Sequence, residues 1–491
     1  MSKSDLILSV DIGTTNIKCG VINDRGNVVS FGEKKQLLLR NKDGTAEHDP
    51  EKLYSDFIYL VGKVIKGYED RIQVISLASY QIGFIVLDRN FLPITNILTL
   101  LDTRAQETFL ELKNKCNFKK IYQNTGCPPF AHYSFSRIFW LRERKKEIFK
   151  KARYFLSSKD YILFRLTGEI ITEPSVSSAT QIMNIHSVSW DRDVLEFLEI
   201  DQKQLPQIVS GEKIFKEINL CTKRKLGFKK NVYVVPGLYD GGALIIGMAG
   251  FDEKIGIINI GTSAMFRTSC DKVILDKSDM ARLQTYYLCS GKWITGAGLN
   301  NAGNILEWLK NNFKIPSYSK LFSMAEEIKK YSYSDNLFFL PYLTGERNPQ
   351  LGSSASGVIY GLREYHKLNN IILSLIEGIG YSLKLIEKTL YENGVKIKEI
   401  RIGGSITKSV FWMQILSDIL NLPIRTSKNK QSSLVGLGIL GFVAIKKYSN
   451  LQEAIQKMVK LKDIIKPYFK NVKNYNKKFI SFSKLLNILH I

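Results

Sequence analysis

Two short polar turns, one near the start of the chain and one just past its middle, carry residue types that bind phosphate. They comprise Gly13, Thr14 and Thr15 in SVDIGTTN, and Gly261 and Thr262 in INIGTS. An apolar, β-rich run precedes each turn and another follows it, which predicts a strand–turn–strand hairpin. Such turns present backbone N–H groups and hydroxyls with no bulky side chain in front, which suits phosphate oxygens. A single turn of this kind is more often an ordinary hairpin, but two facing each other would hold a polyphosphate from both sides.

Two carboxylates have positions that favour phosphoryl-transfer chemistry. Asp240 stands in YVVPGLYDGGAL, between a predicted strand and a predicted helix and next to Gly241 and Gly242. A carboxylate there can accept the proton of a substrate hydroxyl as its oxygen attacks a phosphoryl group. The alternative, a helix N-cap, is common and compatible with that role. Asp11 ends the first predicted strand, where it can lie near a magnesium ion through water or stabilise the turn as an Asx residue.

A third glycine site and a set of polar side chains extend this pattern. In RIGGSITKS a strand-like run ends at Gly403 and Gly404 before a predicted helix, and glycines there let the flat face of a base approach. Gln81, Asp102 and Arg104 stand at predicted strand ends or loops, and a sugar pocket requires such hydrogen-bonding groups. Taken singly, each of these residues is more often a surface or capping residue. The joint occurrence of three glycine turns nevertheless favours a nucleotide site.

Hydrophobic periodicity predicts the elements that position these residues. In DPEKLYSDFIYLVGKVIKGY we expect a helix with Asp49 as N-cap and Pro50 at its first position. Residues 136–168 form a long zone of helical periodicity. LVGLGILGFVAI is too short to span a membrane and is interpreted as a buried helix. Because the opening strand–turn–strand pattern recurs in KIGIINIGTSAMFRTSC, we expect two related halves, residues 1–248 and 249–491.

Composition limits the classes of partner. The chain has 491 residues, 44% of them hydrophobic, a net charge of +24 and a pI of about 9.5. Such a charge suits a nucleic acid or a membrane surface, but the lysines are spread through every region and favour a solvated coat. The six cysteines and five histidines are scattered, which argues against a disulfide framework or a zinc site. An acid at position 11 interrupts the only early apolar run, so we expect no leader and a cytoplasmic location.

The ordered motifs resemble the FGGY carbohydrate kinases, which have the actin-like ATPase fold. DIGTTNIKCGVIND and INIGTSAMFR are similar to the two phosphate loops of that family, and FLSSKDYILFRLTGE and EPSVSSAT are similar to its first domain. NNAGNILEWL, FLPYLTGERNP and GGSITKSVFWMQILSDI are similar to its second domain and adenosine site. The resemblance covers nearly the whole chain. It implies an α/β fold of two related actin-like (ribonuclease H-like) domains, each a mixed sheet flanked by helices, with a cleft between them.

The resemblance implies an enzyme that moves the γ-phosphoryl group of ATP to a primary hydroxyl of a small sugar, polyol or sugar acid, using Mg²⁺. It makes Asp240 the general base and assigns metal support to Asp11 and Asp240. It places at the nucleotide Gly13, Thr14, Thr15, Lys18, Gly261, Thr262, Asn304, Gly404 and Lys408. It places at the sugar Gln81, Asp102, Arg104 and Asp240.

The identity of the sugar rests on a few positions. Ile82 and Gly83 stand where glycerol kinases carry an Arg-Glu pair and xylulokinases a Met-His pair. The runs YDGGAL, INIGTS and FLPYLTGER are most similar to gluconokinase members, although those have tryptophan where this chain has Leu101 and a His-Pro-Met element where it has PFAHYSF. We therefore expect a gluconokinase-like enzyme, with a xylulokinase or another pentulose or polyol kinase as the alternative. Arg104 or Arg137 would suit a substrate carboxylate, and Arg137 equally suits a surface position.

Two rival classes stay open at this point. A non-catalytic member of the superfold would use nucleotide-driven closure as a switch, but Asp240, Asp11 and the polar sugar set argue against it. A nucleic-acid-binding protein would explain the charge, but no recognition motif supports it. We expect no nucleic-acid or membrane partner, and a homodimer is one possible assembly.

Overall fold

A computed structural model of the chain describes residues 5–329, 336–347 and 351–489. The strands of the first half are β1 (Leu6–Ile12), β2 (Asn16–Ile22), β3 (Val28–Lys35), β4 (Leu39–Arg40), β5 (Ala46–His48), β6 (Ile72–Ser79), β7 (Ile85–Leu87), β8 (Ile97–Leu98), β9 (Tyr154–Leu156), β10 (Ile171–Thr172), β11 (Met183–Asn184), β12 (Ser189–Trp190), β13 (Gln207–Ile208), β14 (Lys216–Glu217) and β15 (Tyr233–Tyr239). Its helices are α1 (Pro50–Val64), α2 (Phe109–Lys115), α3 (Phe118–Thr125), α4 (Ser134–Arg144), α5 (Lys146–Lys151), α6 (Ser158–Thr167), α7 (Pro174–Ser177), α8 (Arg192–Leu198), α9 (Leu220–Leu226) and α10 (Asp240–Gly247).

The second half repeats the mixture of strands and helices. Its strands are β16 (Ile255–Ile260), β17 (Ala264–Cys270), β18 (Gln284–Tyr287), β19 (Trp293–Leu299), β20 (Phe338–Pro341), β21 (Gly357–Tyr360), β22 (Glu399–Gly404) and β23 (Ile424–Thr426). Its helices are α11 (Gly303–Asn312), α12 (Tyr318–Lys329), α13 (Leu368–Glu392), α14 (Val410–Leu420), α15 (Ser432–Ala444), α16 (Leu451–Met458) and α17 (Phe469–Ile488).

The two large sheets share one topology. The first is ordered β14-β15-β6-β1-β2-β3 and the second β18-β19-β17-β16-β22-β23. In each, the opening strand pairs antiparallel with the next strand of its hairpin and parallel with a later strand on its other side. A second parallel strand then follows, β15 in the first sheet and β23 in the second. This repetition confirms the predicted α/β fold of two related halves with mixed sheets.

Helices cover both faces of the first sheet because its inner strands are apolar on both faces. In β1, Leu6, Leu8 and Val10 pack in the cluster that contains α1, whereas Ile7 packs in a second cluster with residues of α10 and α15. Helix α1 begins as predicted, with the Asp49 side chain accepting the amide of Lys52 at 2.9 Å and proline at the first helical position.

A crossing of two helices connects the halves. Helix α10 leaves the first sheet, and α15, although it comes from the second half of the chain, packs on the first sheet. The helices cross where their backbones touch, because a Cβ on Gly247 would overlap the carbonyl of Ser432 and a Cβ on Gly436 would overlap that of Ala243. Helix α15 contains all but the last residue of the run LVGLGILGFVAI, and the nine residues from Leu434 to Phe442 are buried, which confirms the prediction of a buried helix.

The predicted helical zone over residues 136–168 is only partly correct. Helices α4, α5 and α6 cover most of it, but β9 interrupts them and pairs antiparallel with β7, Ile85 opposite Leu156. The pairing partner is distant in the chain, so local periodicity did not reveal it. Among the described residues, no helix is both long enough and apolar enough to cross a membrane.

Candidate active site

The first glycine–threonine turn joins β1 to β2 in a tight hairpin. The amide of Gly13 donates to the carbonyl of Asn16 at 2.9 Å, and the amide of Gln36 donates to the carbonyl of Thr15 at 2.8 Å. The side chain of Gln36 also donates to the Gly13 carbonyl and so fixes the turn. The amides of Thr14 and Thr15 have no protein acceptor within the described ranges. They are therefore available to an anion such as phosphate.

The second turn joins β16 to β17 and is fixed by the start of α11. The amide of Gly261 donates to the carbonyl of Ser263 at 2.9 Å. The amides of Gly303 and Asn304 donate to the carbonyls of Gly261 and Thr262 at 3.1 and 3.0 Å. A Cβ on Gly261 would meet no atom within 4 Å, so open space lies in front of this turn. The structure thus brings Asn304 next to the second turn.

The third glycine site lies directly beside the second turn, because β22 pairs with β16. Gly404 is opposite Ile260, and the Ser405 hydroxyl donates to the Ile260 carbonyl at 3.1 Å. Gly404 has a φ of 88°, and a Cβ there would overlap that same carbonyl, so backbone packing alone requires glycine at this position. Gly403 lies next to Met248 instead, and Lys408 is exposed at the end of the following short 3-10 turn.

Asp11 lies near the end of β1 and Asp240 directly after β15, and the two carboxylates act on each other electrostatically. Burial and then the negative charge of Asp11 raise the pKa of Asp240 to about 6, although the amide of Gly241 donates to its carboxylate at 2.7 Å. Burial also raises the pKa of Asp11, opposed by a 2.7 Å hydrogen bond from the Ser433 hydroxyl and by the charge of Lys18, its cross-strand neighbour. The other carboxylate oxygen of Asp11 is buried without a partner in the described part of the chain.

Arg267 brings the second half of the chain to these carboxylates. It lies on β17, immediately after the second turn, and its charge acts on Asp240 to lower the pKa of that group. Its Nη1 lies 3.4 Å from the Tyr239 hydroxyl, and its guanidinium lies 5.5 Å from the centre of the Tyr239 ring. Asp11 from the first half and Arg267 from the second therefore both act on Asp240, which lies where the two halves of the chain meet.

The three predicted sugar-site residues differ in their availability. The Asp102 carboxylate is buried; it accepts the amide of Ala46 at 3.0 Å and the guanidinium of Arg104 at 2.7 Å. Arg104 also pairs with Glu47 and is about one-fifth exposed. Gln81 is different, because its side-chain Nε2 is buried with no acceptor in the described ranges. Gln81 is therefore the member of this set with an unused hydrogen-bond donor.

Arg137 does not occupy a surface position, and both terminal nitrogens of its guanidinium donate to main-chain carbonyls. It is 1% exposed and donates to the main-chain carbonyls of Leu98, at 3.1 Å, and Thr99. Burial lowers the pKa of Arg137 to about 10. These contacts hold the loop that leads to Asp102, so the part of the prediction that placed Arg137 at the surface is wrong.

Sequence reasoning missed three residues that the fold brings to the cleft: Arg267, Arg347 and His132. Arg347 belongs to the GER part of FLPYLTGERNP, whose last two residues, 348 and 349, lie outside the described residues. Its charge acts on His132, whose Nδ1 lies 3.4 Å from the Asp102 carbonyl. Burial first, and the charges of Arg137 and Arg347 in addition, lower the pKa of His132 to about 4. The period-two alternation that puts Arg267 on the same face of β17 as Met265 was the one available signal.

The chain matches known proteins along almost its whole length. Residues 6–247 match the N-terminal domain, and residues 256–445 the C-terminal domain, of the FGGY family of carbohydrate kinases. A gluconokinase of Bacillus subtilis (strain 168) is 29% identical over 497 residues, covering 98% of this chain and 96% of that protein.

Solved structures of sugar kinases are also similar to this chain along almost its whole length. A gluconate kinase from Lactobacillus acidophilus superposes with a TM-score of 0.95 at 28% identity, covering 99% of both chains. A ligand-bound xylulose kinase from the same organism superposes with a TM-score of 0.94 at 29% identity, covering 99% of this chain and 98% of that one.

The fold and the cleft are those of an ATP-dependent phosphotransferase with the actin-like architecture. The chain belongs to the FGGY family of carbohydrate kinases, as its resemblance predicted, and is an ATP-dependent sugar kinase. A non-catalytic switch is thereby set aside.

Proposed function

We propose that this kinase transfers the γ-phosphoryl group of ATP to a primary hydroxyl of a sugar acid, in the manner of a gluconokinase. The observation that carries the proposal is that Asp240 has charged neighbours from both halves of the chain, Asp11 from the first and Arg267 from the second. The similarity of the chain to gluconokinases in sequence and structure supports a sugar acid as the phosphoryl acceptor.

Asp240 acts as the general base. A carboxylate with a pKa raised to about 6 is ionised at neutral pH and holds a proton more readily than an ordinary aspartate. It accepts the proton of the substrate hydroxyl as that oxygen attacks the phosphoryl group. The amide of Gly241 orients the carboxylate, and Gln81, with its unused donor, binds a second hydroxyl of the acceptor.

Asp11 and Asp240 together fit a magnesium ion. The buried, unpartnered oxygen of Asp11 and the mutual repulsion of the two carboxylates are both relieved by a cation. Among the described residues no cluster of three or more His, Cys, Asp or Glu side chains exists, which agrees with Mg²⁺ because that ion uses one or two carboxylates and completes its shell with water and phosphate. Bound Mg²⁺ supplies charge neutralisation at the phosphates.

The nucleotide is assigned to the two turns and the third glycine site. The free amides of Thr14 and Thr15, with Lys18 behind them, bind the phosphates from one side, and Gly261 and Thr262 bind them from the other. Asn304, Gly404 and Lys408 border the adenosine, since all three adjoin the second turn or the strand beside it. Closure of the two halves excludes water and so limits hydrolysis of ATP.

Asp102 and Arg104 complete the sugar pocket in this proposal. Their mutual ion pair holds Arg104 in one orientation beside Glu47, so Arg104 offers its remaining surface to a hydroxyl. We assign residues 1–248 to the sugar-binding unit and 249–491 to the nucleotide-binding unit. The cytoplasmic location and the homodimer stay predictions from the sequence.

A pentulose kinase is the second candidate. The superposition on a xylulose kinase is as close, at a TM-score of 0.94, as that on a gluconate kinase, so overall shape does not separate the two. The pocket residues depart from both patterns, Ile82 and Gly83 from that of xylulokinases, and Leu101 and PFAHYSF from that of gluconokinases.

A coupled assay of ADP release across gluconate, xylulose, ribulose, erythritol and glycerol tests the proposal. We expect gluconate to give the highest kcat/KM, and Mg²⁺ chelation to abolish turnover. A higher kcat/KM for xylulose or ribulose would establish the second candidate, and ADP release that no sugar increases would contradict both.

A further inference from the structure

Two guanidinium groups lie beside β17 and β19 of the second sheet, close to two glycines. Residues 265 and 267 of β17 alternate with core residues, and they lie opposite Gly298 and Gly296 of β19. A Cβ on Gly296 would overlap the Phe266 carbonyl, so backbone packing requires glycine there. A Cβ on Gly298 would lie 2.5 Å from the Met265 sulfur and 3.1 Å from Nη1 of Arg347, so Gly298 leaves room for both side chains.

Each of the two arginines has one carboxylate near it, Asp240 for Arg267 and Glu346 for Arg347, but forms no ion pair within the described ranges. Arg267 touches the backbone at Gly241, near the positive end of α10, and its charge acts on Arg347. Nε of Arg347 donates to the Asn300 side chain at 2.8 Å, and its Nη1 lies 3.9 Å from the Met265 sulfur. The Glu346 carboxylate accepts the main-chain amides of Asn300 and Arg347 at 2.8 Å each. Glu346 is thus engaged by amides, and the Arg347 guanidinium keeps donors for an anionic ligand.

Contacts along β17 set the order of the charged groups. Arg267 adjoins Gly241, the residue after Asp240, and Met265, two positions before Arg267 on the same face of β17, contacts Nη1 of Arg347 at 3.9 Å. The charge of Arg347 also acts on His132. His132 in turn lies beside the Asp102 carbonyl. An extended acceptor with its reacting hydroxyl at Asp240 therefore passes Arg267 and brings its far end to Arg347 and His132.

We propose that Arg347, held over Gly298 and beside His132, binds the carboxylate of the sugar-acid acceptor and so selects an acid over the corresponding neutral polyol. This inference rests on the proposed function and names the residue that recognises the carboxylate of the sugar acid. The fork of the Arg347 guanidinium can bind both carboxylate oxygens, and neutral His132 can hydrogen-bond the adjacent hydroxyl. Arg104 and Arg137, the arginines suggested by the sequence, are already paired with Asp102 and with main-chain carbonyls.

A different role for Arg347, stabilising the transferred phosphoryl group, makes an opposite prediction. A phosphoryl contact is the same for every acceptor, so its loss lowers kcat equally for acids and polyols. A carboxylate contact exists only with an acid, so its loss changes the ratio of the two. Gluconate and glucitol are the matched probes, because they differ in whether a carboxylate or a hydroxymethyl group ends the chain.

The test is to measure kcat/KM and calorimetric Kd for gluconate and glucitol in the wild type and in Arg347→Gln. We expect the wild type to prefer gluconate and the variant to lose about 10- to 100-fold in kcat/KM and Kd for gluconate, with a change below about threefold for glucitol. Arg347→Lys should restore part of the preference. Gly298→Val, which keeps the arginine but occupies its space, should reproduce the loss, and Arg89→Gln, at an exposed site, should have no effect.

The outcomes separate the two levels of the proposal. An equal loss for both acceptors, or no loss, overturns the role of Arg347 while leaving a sugar kinase intact. A wild type that phosphorylates pentuloses but neither binds nor phosphorylates gluconate contradicts the proposed function itself. If Arg347→Gln does not fold, as judged by its thermal melt, Arg347→Lys and Gly298→Val decide the question.

Discussion

The two glycine turns have the same backbone design but different charges. In the first, Asp11 ends β1, lies across from Lys18 and accepts a hydrogen bond from Ser433. In the second, the equivalent position is Asn259, which adjoins Gly403. In our proposal both turns supply N–H groups for phosphate, whereas the metal-supporting carboxylate belongs to the first turn and is replaced by Asn259 in the second. The repeated frame provides binding, and single substitutions within it provide the chemistry.

The largest expected effect comes from the carboxylate where the two halves of the chain meet. Asp240→Asn should lower kcat by about 10²–10⁴ because it removes the general base, with ATP affinity nearly unchanged. Coupled ADP release gives kcat and calorimetry gives the ATP Kd. Asp279→Asn, at an exposed site, is the matched control. A variant with normal turnover would show that Asp240 is not the base.

A smaller effect is expected from making the first turn like the second. Asp11→Asn should raise the Mg²⁺ concentration for half-maximal activity by about 10- to 100-fold, as loss of a metal-supporting group does. A titration of Mg²⁺ at a fixed ATP concentration measures this half-maximal concentration. Ser433→Ala removes only the hydrogen bond to Asp11 and should have a weaker effect in the same direction. An unchanged Mg²⁺ requirement in Asp11→Asn would place the metal elsewhere.

The smallest effect concerns the glycines of the turns. Gly261→Val should weaken ATP binding by about tenfold without lowering the melting temperature, because open space lies in front of that glycine. Gly13→Val should also destabilise the protein, since a Cβ on Gly13 would lie 2.9 Å from the Asn16 carbonyl. Calorimetry and thermal melts measure the two properties. Unchanged ATP affinity in Gly261→Val would remove the second turn from the nucleotide site.

Gly404 is a poor position for such a test of nucleotide crowding. The sequence suggested that glycine there admits the adenosine. The structure shows that any side chain at Gly404 would overlap the Ile260 carbonyl between β16 and β22. A substitution there would disturb the sheet, so weaker nucleotide binding would not report on the adenosine.

Local features of the fold were predictable because local interactions determine them. The Asp49 cap, the alternation of β1 and the hairpin of SVDIGTTN each depend on residues a few positions apart. Strand β9 was not predicted, because it exists through pairing with β7, about 70 residues earlier in the chain. A surface position for Arg137 stayed open as an alternative for the same reason, since the carbonyls that hold it come from a distant loop.

The sequence by itself determined the family, the duplicated frame and the residues of each turn, because these are encoded in short contiguous motifs. Only the tertiary structure decided which charges meet in the cleft. It paired Arg104 with Asp102, buried Arg137 among carbonyls, and brought the charge of Arg267 to Asp240 and that of Arg347 to His132. The physical reason is that the interaction of two charges depends on their distance and burial, and the chain sets both only when its two halves come together.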